Sequence, residues 1–291
     1  MQKGAIAYPF FKDEERTDWL IHSLKKMKKH WLSFYPYPVF IFHHAELEQG
    51  IKHKISQEIP ETDIRFVSTN MVKKQKANEF CDTVSPCGLR TWDINDCSAY
   101  RWKSGLCYTE PVLAKYDWLC IIDTDAFIAS DVGEDPFQYM SRNNKLYGYR
   151  ALSYDDPALI HNLYHTLQNY LTEYNVEPKN IYGEKTKPYD YCIPQSYGQW
   201  PQCPITYYTN IDFISLDFAR SEEYQSLFKY LDDTDGFYDY RWGDCPVRYL
   251  IVRTFVDEQQ IHRFEDWEYV HGQTVFQIPH QSNVDSSPSQ N

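Results

Sequence analysis

Residues 115 to 131 read KYDWLCIIDTDAFIASD, an apolar run that ends in two acids one residue apart. The apolar run WLCII, residues 118 to 122, has the length and the residue types of a buried strand. Asp123 and Asp125 follow it directly. Two carboxylates about 4 to 5 Å apart repel each other by roughly 3 to 4 kcal/mol at an effective dielectric constant of about 20. A positive charge is therefore expected beside them.

A divalent metal ion is the cation that this pattern predicts. Open α/β sheets bind their ligands in the crevice beyond the carboxyl ends of the strands, where Asp123 and Asp125 would lie. Mg²⁺ or Mn²⁺ is commonly held there by one or two carboxylates together with substrate phosphates. A sugar nucleotide needs such an ion, because a Lewis acid stabilises the negative charge that builds on the departing diphosphate.

Two other interpretations of the DxD pattern are open. The two acids could simply cap the strand and solvate a turn. A phosphatase of the haloacid dehalogenase type also places DxD after an apolar strand, but it wants Thr or Val two residues after the second Asp. Phe127 occupies that position here, and that motif usually opens its domain, so the pattern disfavours the phosphatase.

The segments around this strand alternate between strand and helix patterns. GAIAYPF, YPVFIFHH, DIRFVST and TNIDFISLDFA are short apolar runs typical of strands. Residues 13–34, 156–174 and 221–238 carry apolar side chains at helical spacing, and Ser221 is the expected cap of the last of these helices, which should end near Gly236. This alternation predicts an α/β fold, with helices packed on a central sheet. The long loop from Glu177 to Thr206 is expected to line the site.

Composition narrows the class of partner. The chain of 291 residues has 29 basic and 41 acidic residues, for a net charge of −12, which argues against nucleic acid as a ligand. Aromatic residues make up 17% of the chain, which suits a carbohydrate-binding cleft. The eight cysteines contain no CxxC pair, so a zinc knuckle is not expected, and free thiols and disulfides both stay open.

The sequence contains no apolar run long enough for a transmembrane helix and no signal peptide at its start. As given, it predicts a soluble, cytoplasmic protein. The alternative is a lumenal Golgi domain whose anchor has been removed.

Several separated stretches resemble one family. NDCSAYRWKSGLCYTEPVLAKYDW, DPFQYMSRNNKLYGYRAL, YRWGDCPVRYL and DEQQIHRFEDWEYVHG occur in order, between about Lys3 and Gly272, and are similar to the fungal α-1,2-mannosyltransferases of glycosyltransferase family 15. The resemblance implies a GT-A fold with a Rossmann-like central mixed sheet flanked by helices. It also implies a metal-dependent, retaining transfer of mannose from GDP-mannose to a hydroxyl of an oligosaccharide or glycoprotein acceptor.

The resemblance also implies a metal site. The family usually has Glu-Pro-Asp where this chain has Asp123-Thr124-Asp125, which is closer to the DxD motif of other GT-A enzymes. Asp123 and Asp125 are therefore expected to hold Mn²⁺ or Mg²⁺, and a UDP-sugar is the alternative donor. The family's late histidine, a metal ligand, matches His271 in EYVHG.

The catalytic and donor-binding residues follow from the same matches. Asp212 in TNIDF replaces the family's Glu, and it would act as a covalent partner or stabilise an oxocarbenium-like state; binding of acceptor hydroxyls is the alternative. Arg241 and Asp244 in YRWGDCPVR would bind sugar hydroxyls, or would form an internal ion pair. The predicted donor-binding set is completed by three residues, of which Lys103 could instead be solvated: Arg101, Lys103 and Tyr8.

The expected organisation is a single GT-A domain over residues 1–280. Residues 1–130 would form the nucleotide-binding half and residues 131–280 the acceptor-binding half, with a disordered tail over 281–291. The other interpretation of the whole chain is a non-catalytic relative that binds glycans through its aromatic side chains.

Overall fold

The computed structural model describes residues 3–10, 14–43, 47–74, 94–155, 160–180, 205–272 and 274–276. The strands are β1 (Gly4–Pro9), β2 (Val39–His43), β3 (Ile64–Ser68), β4 (Trp118–Ile122), β5 (Ala126–Ile128), β6 (Tyr147–Tyr149), β7 (Leu152–Tyr154), β8 (Ile205–Tyr207), β9 (Ile211–Ser215), β10 (Ile261–Arg263), β11 (Tyr269–His271) and β12 (Thr274–Phe276). The helices are α1 (Glu14–Met27), α2 (Gln49–Glu58), α3 (Ile94–Ser104), α4 (Pro136–Arg142), α5 (Leu163–Glu173), α6 (Leu216–Ala219), α7 (Glu222–Asp233), α8 (Gly236–Asp239) and α9 (Asp244–Phe255).

The central sheet has seven strands in the order β10-β6-β9-β4-β1-β2-β3. Strands β3, β2, β1 and β4 run parallel to one another, and β9 is antiparallel to both β4 and β6. The sheet is therefore mixed, as the resemblance implied. The run WLCII is the fourth strand, and it lies in the middle of the sheet.

The change of strand direction at β9 brings distant parts of the chain together. Because β9 is antiparallel to β4, its first residue, Ile211, pairs with Ile122, the last residue of β4. The backbone N–H of Asp123 then donates to the carbonyl oxygen of Asn210, at 2.9 Å. The residues after β4 and the residues before β9 consequently meet at one edge of the sheet.

A second, three-stranded sheet, β12-β11-β5, lies beside this edge. Strand β5 begins directly after the DTD segment and pairs antiparallel with β11, in a register that sets Ala126 opposite His271. The N–H of Gly272 also donates to the carbonyl oxygen of Asp125, at 3.2 Å. This pairing returns the end of the described chain to the two aspartates.

Apolar side chains cover both faces of the central sheet. On one face, Ile6, Ile41 and Ile122 belong to a core that includes Trp31. On the other face, Phe42 packs on Trp102 of α3, with ring centroids 4.8 Å apart. Burial of each large side chain contributes about 1.5 to 3 kcal/mol, and burial on both faces explains why these strands read as unbroken apolar runs.

Several local predictions can be compared with the structure. The Ser221 hydroxyl caps α7 by accepting from the N–H of Tyr224, as predicted. Helix α7 ends at Asp233, three residues before Gly236, which begins α8. The predicted helix over 156–174 is shorter, because α5 begins at Leu163. Most of the predicted site loop, residues 181–204, and the predicted tail lie outside the described residues.

Within the described residues, no helix combines the length and the apolar character needed to cross a bilayer. Four of the eight cysteines lie in this part of the chain, and all four are free thiols: Cys97, Cys107, Cys120 and Cys245.

Candidate active site

Two aspartates and a histidine form a cluster where β4 ends. One ligand atom each from Asp123, Asp125 and His271 lies within 4.8 Å of the others. Nε2 of His271 is 3.3 Å from Oδ2 of Asp125, and these side chains are 22% and 28% exposed. The cluster thus combines two carboxylates and an imidazole, and it is open to solvent.

Backbone pairing fixes the cluster. The N–H of Ala126 donates to the carbonyl oxygen of Asp123, at 3.1 Å, and this closes a tight turn through the DTD segment. The turn passes directly into β5, whose partner β11 carries His271. The two aspartates are therefore held by this turn, and His271 is held by the pairing of β11 with β5.

The His271 ring is oriented by Tyr208. The Tyr208 hydroxyl lies 2.7 Å from Nδ1, which leaves Nε2 directed at Asp125. Burial disfavours the charged imidazolium, but the hydrogen bond and the charge of Asp125 outweigh it, and they raise the pKa of His271. Burial likewise opposes ionisation of Asp125, yet the hydrogen bond from His271 lowers the pKa of that carboxyl. A hydrogen-bonded second nitrogen is the usual arrangement of a histidine that ligates a metal.

Lys103 lies directly behind the cluster. Its ammonium is 2.9 Å from Oδ1 of Asp123, 2.9 Å from Oδ2 of Asp244 and 3.3 Å from the carbonyl oxygen of Thr209. The side chain is 3% exposed. Burial disfavours its charge, but Asp123 and Asp244 more than compensate and raise the pKa of Lys103. Burial also raises the pKa of Asp123, an effect that Lys103 partly offsets.

Asp212 lies deeper than the cluster, on β9. Its Oδ2 accepts hydrogen bonds from Nη1 of Arg248, at 2.8 Å, and from the Tyr147 hydroxyl, at 3.1 Å, and the residue is 1% exposed. Oδ1 has no hydrogen-bond partner among the described residues. Burial raises the pKa of Asp212 to about 6 although the charges of Arg248 and Lys103 oppose this. This carboxylate already has a fixed counter-ion.

Arg248 bonds both to Asp212 and to the backbone of Lys103. It is fully buried, its second terminal nitrogen donates to the carbonyl oxygen of Lys103 at 2.7 Å, and its guanidinium carbon lies 5.1 Å from the centre of the Tyr108 ring. The backbone that carries Lys103 is therefore bonded to the same guanidinium that neutralises Asp212.

Two further predicted residues, Arg101 and Tyr8, have their partners in the protein interior. Arg101 forms a two-point ion pair with Asp232, at 2.6 and 2.8 Å, and also donates to the carbonyl oxygen of Met71. Tyr8 is fully buried, and its hydroxyl is 2.8 Å from that of Ser23. Both side chains are therefore bonded within the interior, and their place in the donor-binding set stays a prediction.

Arg241 and Asp244 are both buried, at 4% and 2% exposed. The ion pair considered between them is not formed in the described structure, because Asp244 pairs with Lys103 instead. The Thr209 hydroxyl donates a second hydrogen bond to Asp244, at 2.6 Å. Arg241 has a left-handed backbone, with φ of 59°, a conformation that costs a non-glycine residue about 1 to 2 kcal/mol and is enriched at functional sites.

Sequence reasoning missed three residues of this region. Tyr208 directly precedes the pattern TNIDF and Thr209 is its first residue, but neither carried a signal of its own. Arg248 had a usable signal, since it lies four residues after Asp244 and therefore shares its face of α9.

Residues 2–288 match the profile of the family described as glycolipid 2-alpha-mannosyltransferase. A probable mannosyltransferase, KTR4 of Saccharomyces cerevisiae, is 27% identical over 270 residues, which cover 87% of this chain and 57% of that protein. Glycolipid 2-alpha-mannosyltransferase 2 of Candida albicans is 31% identical over 177 residues, 59% of this chain and 36% of the relative. The chain thus spans a little more than half the length of the first of these curated relatives and about a third of the second.

Two solved structures share the fold over nearly the whole chain. Core-mannan synthase A of Aspergillus fumigatus, solved in an Mn/GDP form, superposes with a TM-score of 0.82 at 21% identity, covering 100% of this chain and 80% of that chain. The mannosyltransferase Ktr4p of S. cerevisiae, solved with GDP, also gives 0.82, at 24% identity, covering 99% and 76%. The predicted GT-A fold is confirmed by these likenesses.

Proposed function

Because the chain belongs to the glycolipid 2-alpha-mannosyltransferase family, glycosyltransferase family 15, we propose that it is a metal-dependent glycosyltransferase. The reaction would move mannose from GDP-mannose to a hydroxyl of a glycan acceptor, with retention of the anomeric configuration. The observation that carries this proposal is the cluster of Asp123, Asp125 and His271 at the end of β4.

The residues of the cluster fit a divalent cation. Two carboxylates and a neutral imidazole are suitable ligands for Mn²⁺, and Tyr208 on Nδ1 leaves Nε2 available as a ligand atom. When bound, such an ion would stabilise the negative charge of the departing diphosphate. Asp123, Asp125 and His271 would hold it, and their partial exposure leaves room for phosphate oxygens.

The buried residues would support this cluster. Lys103 fixes one oxygen of Asp123 and holds Asp244 beside it, so we assign Asp244 a positioning role. Asp212 has one oxygen bonded to Arg248 and is almost inaccessible, which disfavours direct attack on the sugar. We therefore propose that Asp212 acts through its charge, from behind the cluster. Arg241 would shape the cleft.

GDP-mannose is the proposed donor because the chain shares its family and its fold with proteins whose structures contain GDP. The DTD triplet keeps a UDP-sugar as the alternative. The acceptor would be an oligosaccharide or a glycoprotein glycan. Residues 1–130 would bind the nucleotide and residues 131–280 the acceptor, and the metal site would take two ligands from the first half and His271 from the second.

Thermal denaturation with a panel of nucleotide sugars tests the proposal. GDP-mannose together with Mn²⁺ should stabilise the protein by about 2.7 kcal/mol at a hundredfold excess over its dissociation constant, whereas either ligand alone should do much less. Incubation with a mannoside acceptor should then release GDP, and NMR of the product should show an α linkage. Stabilisation by a UDP-sugar would reassign the donor. Glycan binding without any nucleotide effect would contradict the transferase and favour the glycan-binding relative.

A further inference from the structure

The Lys103 ammonium occupies a site made of three oxygen atoms. Its three N–H groups have three acceptors within hydrogen-bond reach: Oδ1 of Asp123, Oδ2 of Asp244 and the carbonyl oxygen of Thr209. The side chain is 3% exposed, so water does not compete for these contacts. Lysine has three donors and no acceptor, and every one of them is used here.

The same three oxygens form a donor set suited to a divalent cation. Two carboxylate oxygens that are each 2.9 Å from one nitrogen can be at most twice that distance apart, and a backbone carbonyl completes the set. Carboxylate and carbonyl oxygens are the ligands that Mg²⁺ and Mn²⁺ take in proteins. This position adjoins the Asp123, Asp125 and His271 cluster, because Asp123 contributes to both.

We propose that Lys103 occupies the position of a second cation and thereby restricts the site to one divalent ion. Asp123 would give Oδ1 to Lys103 and turn its other oxygen to the metal. Asp244 would be kept outside the metal's ligand shell, as a partner of Lys103 alone. The inference rests on the proposed function, since it presumes that Asp123, Asp125 and His271 bind a metal ion.

The charges of the region support a built-in cation. Asp123, Asp125 and Asp244 bring three carboxylates together, and one divalent ion at the open cluster leaves Asp244 without compensation. A lysine held at 2.9 Å supplies the missing charge permanently, and it cannot leave the site as an ion can. Arg248 donates to the backbone carbonyl of the same lysine, and this bond fixes the backbone from which the side chain extends.

Counting bound Mn²⁺ tests the inference. Wild-type protein and Lys103→Met should be dialysed against Mn²⁺, and the bound metal measured by elemental analysis and by electron paramagnetic resonance. We expect one ion in the wild type and two in Lys103→Met, and the two should give a spin-coupled signal because they would share Asp123. The double variant Lys103→Met with Asp244→Asn should return to one ion.

Lys103→Arg and Lys73→Met are the controls. Lys103→Arg keeps the positive charge and should bind one ion. Lys73→Met removes a lysine that pairs with Asp235 at 2.9 Å, away from the cluster, and it should also bind one. If Lys103→Met fails to fold, Lys103→Gln refolded in Mn²⁺ takes its place. A single ion in the tested Lys103 variant, with one in the wild type, overturns the inference; no ion in the wild type would instead refute the proposed function.

Discussion

Asp125 lies in the turn after β4 and Asp212 lies on β9, the strand that pairs with β4, yet the two carboxylates have opposite environments. The Asp125 side chain is 28% exposed and its partner is an imidazole, whereas Asp212 is 1% exposed and its partner is a guanidinium. The pKa of Asp125 is lowered and that of Asp212 is raised to about 6. Burial opposes the ionisation of both carboxyls. His271 outweighs it at Asp125, whereas the deeper burial of Asp212 outweighs the charges of Arg248 and Lys103.

This contrast separates an exchangeable counter-ion from a permanent one. Histidine can lose its proton near neutral pH and become a metal ligand, so Asp125 can pass from a hydrogen bond to a metal ion. Arginine stays protonated, so the charge beside Asp212 is always present. Lys103, between the two regions, is a permanent cation placed against an acid of the open cluster.

The largest effect is expected for Asp125→Ala, which removes a ligand from the solvent-open cluster of Asp123, Asp125 and His271, the open region. Loss of a metal that contributes several kcal/mol to the transition state should lower turnover on the order of 10³-fold or more. It should also abolish the Mn²⁺-dependent stabilisation by GDP, measured by thermal denaturation. Asp131→Ala is the control, since Asp131 lies six residues later and contacts His30 instead. Unchanged Mn²⁺-dependent GDP binding in Asp125→Ala would contradict the assignment of the metal site.

The next largest effect is expected for Arg248→Met, which removes the buried ion pair with Asp212. It leaves Asp212 buried without a counter-ion, and removing one partner of a buried ion pair costs about 3 to 5 kcal/mol. Urea denaturation measures this loss. Adding Asp212→Asn should recover part of the stability, because the uncompensated charge is then gone. Equal stabilities of the single and double variants would show that the ion pair does not govern this region.

Much of the fold could be predicted from the sequence because it depends on local patterns. The run WLCII is a buried strand, and the alternation of strands and helices indicated the α/β class. The meeting of Asp123, Asp125 and His271 could not come from spacing, since His271 lies 146 positions after Asp125. The resemblance supplied it, and the antiparallel pairing of β5 with β11 explains it.

Partners were harder to predict than residue types. Arg101 and Lys103 lie two residues apart on α3, and the sequence placed both at the donor phosphates. In the structure Arg101 pairs with Asp232 of α7, whereas Lys103 pairs with Asp123 and Asp244. Side chains two positions apart on a helix point to different faces, so the acid that each one pairs with depends on tertiary packing. Tyr8 depends on tertiary packing in the same way, because its side chain on β1 is fully buried in the core.

The pH dependence of stability should distinguish the two regions next. The pKa of Asp212 is raised from 3.8 to about 6, so the folded protein holds this proton more tightly than the unfolded chain. The contribution to stability is present below about pH 4 and is lost as pH rises through about 6, a loss of roughly 3 kcal/mol. As pH rises between these values, the free energy of unfolding of the wild type, measured with urea, should therefore fall relative to that of Asp212→Asn. Asp217→Asn, an exposed acid nearby, should follow the wild type, and parallel curves for Asp212→Asn would refute the raised pKa.

The smallest effect is expected from the tyrosines, since each region has one. The Tyr208 hydroxyl lies 2.7 Å from Nδ1 of His271, and that of Tyr147 donates to Asp212 at 3.1 Å. Loss of a partner that orients a ligating histidine typically weakens metal binding 10- to 100-fold, so Tyr208→Phe should raise the Mn²⁺ dissociation constant by about that factor. Tyr147→Phe should leave the constant unchanged, because its partner already has Arg248. Both can be measured by titrating Mn²⁺ under electron paramagnetic resonance, and equal shifts in the two variants would mean that the open and the buried region are not independent in metal binding.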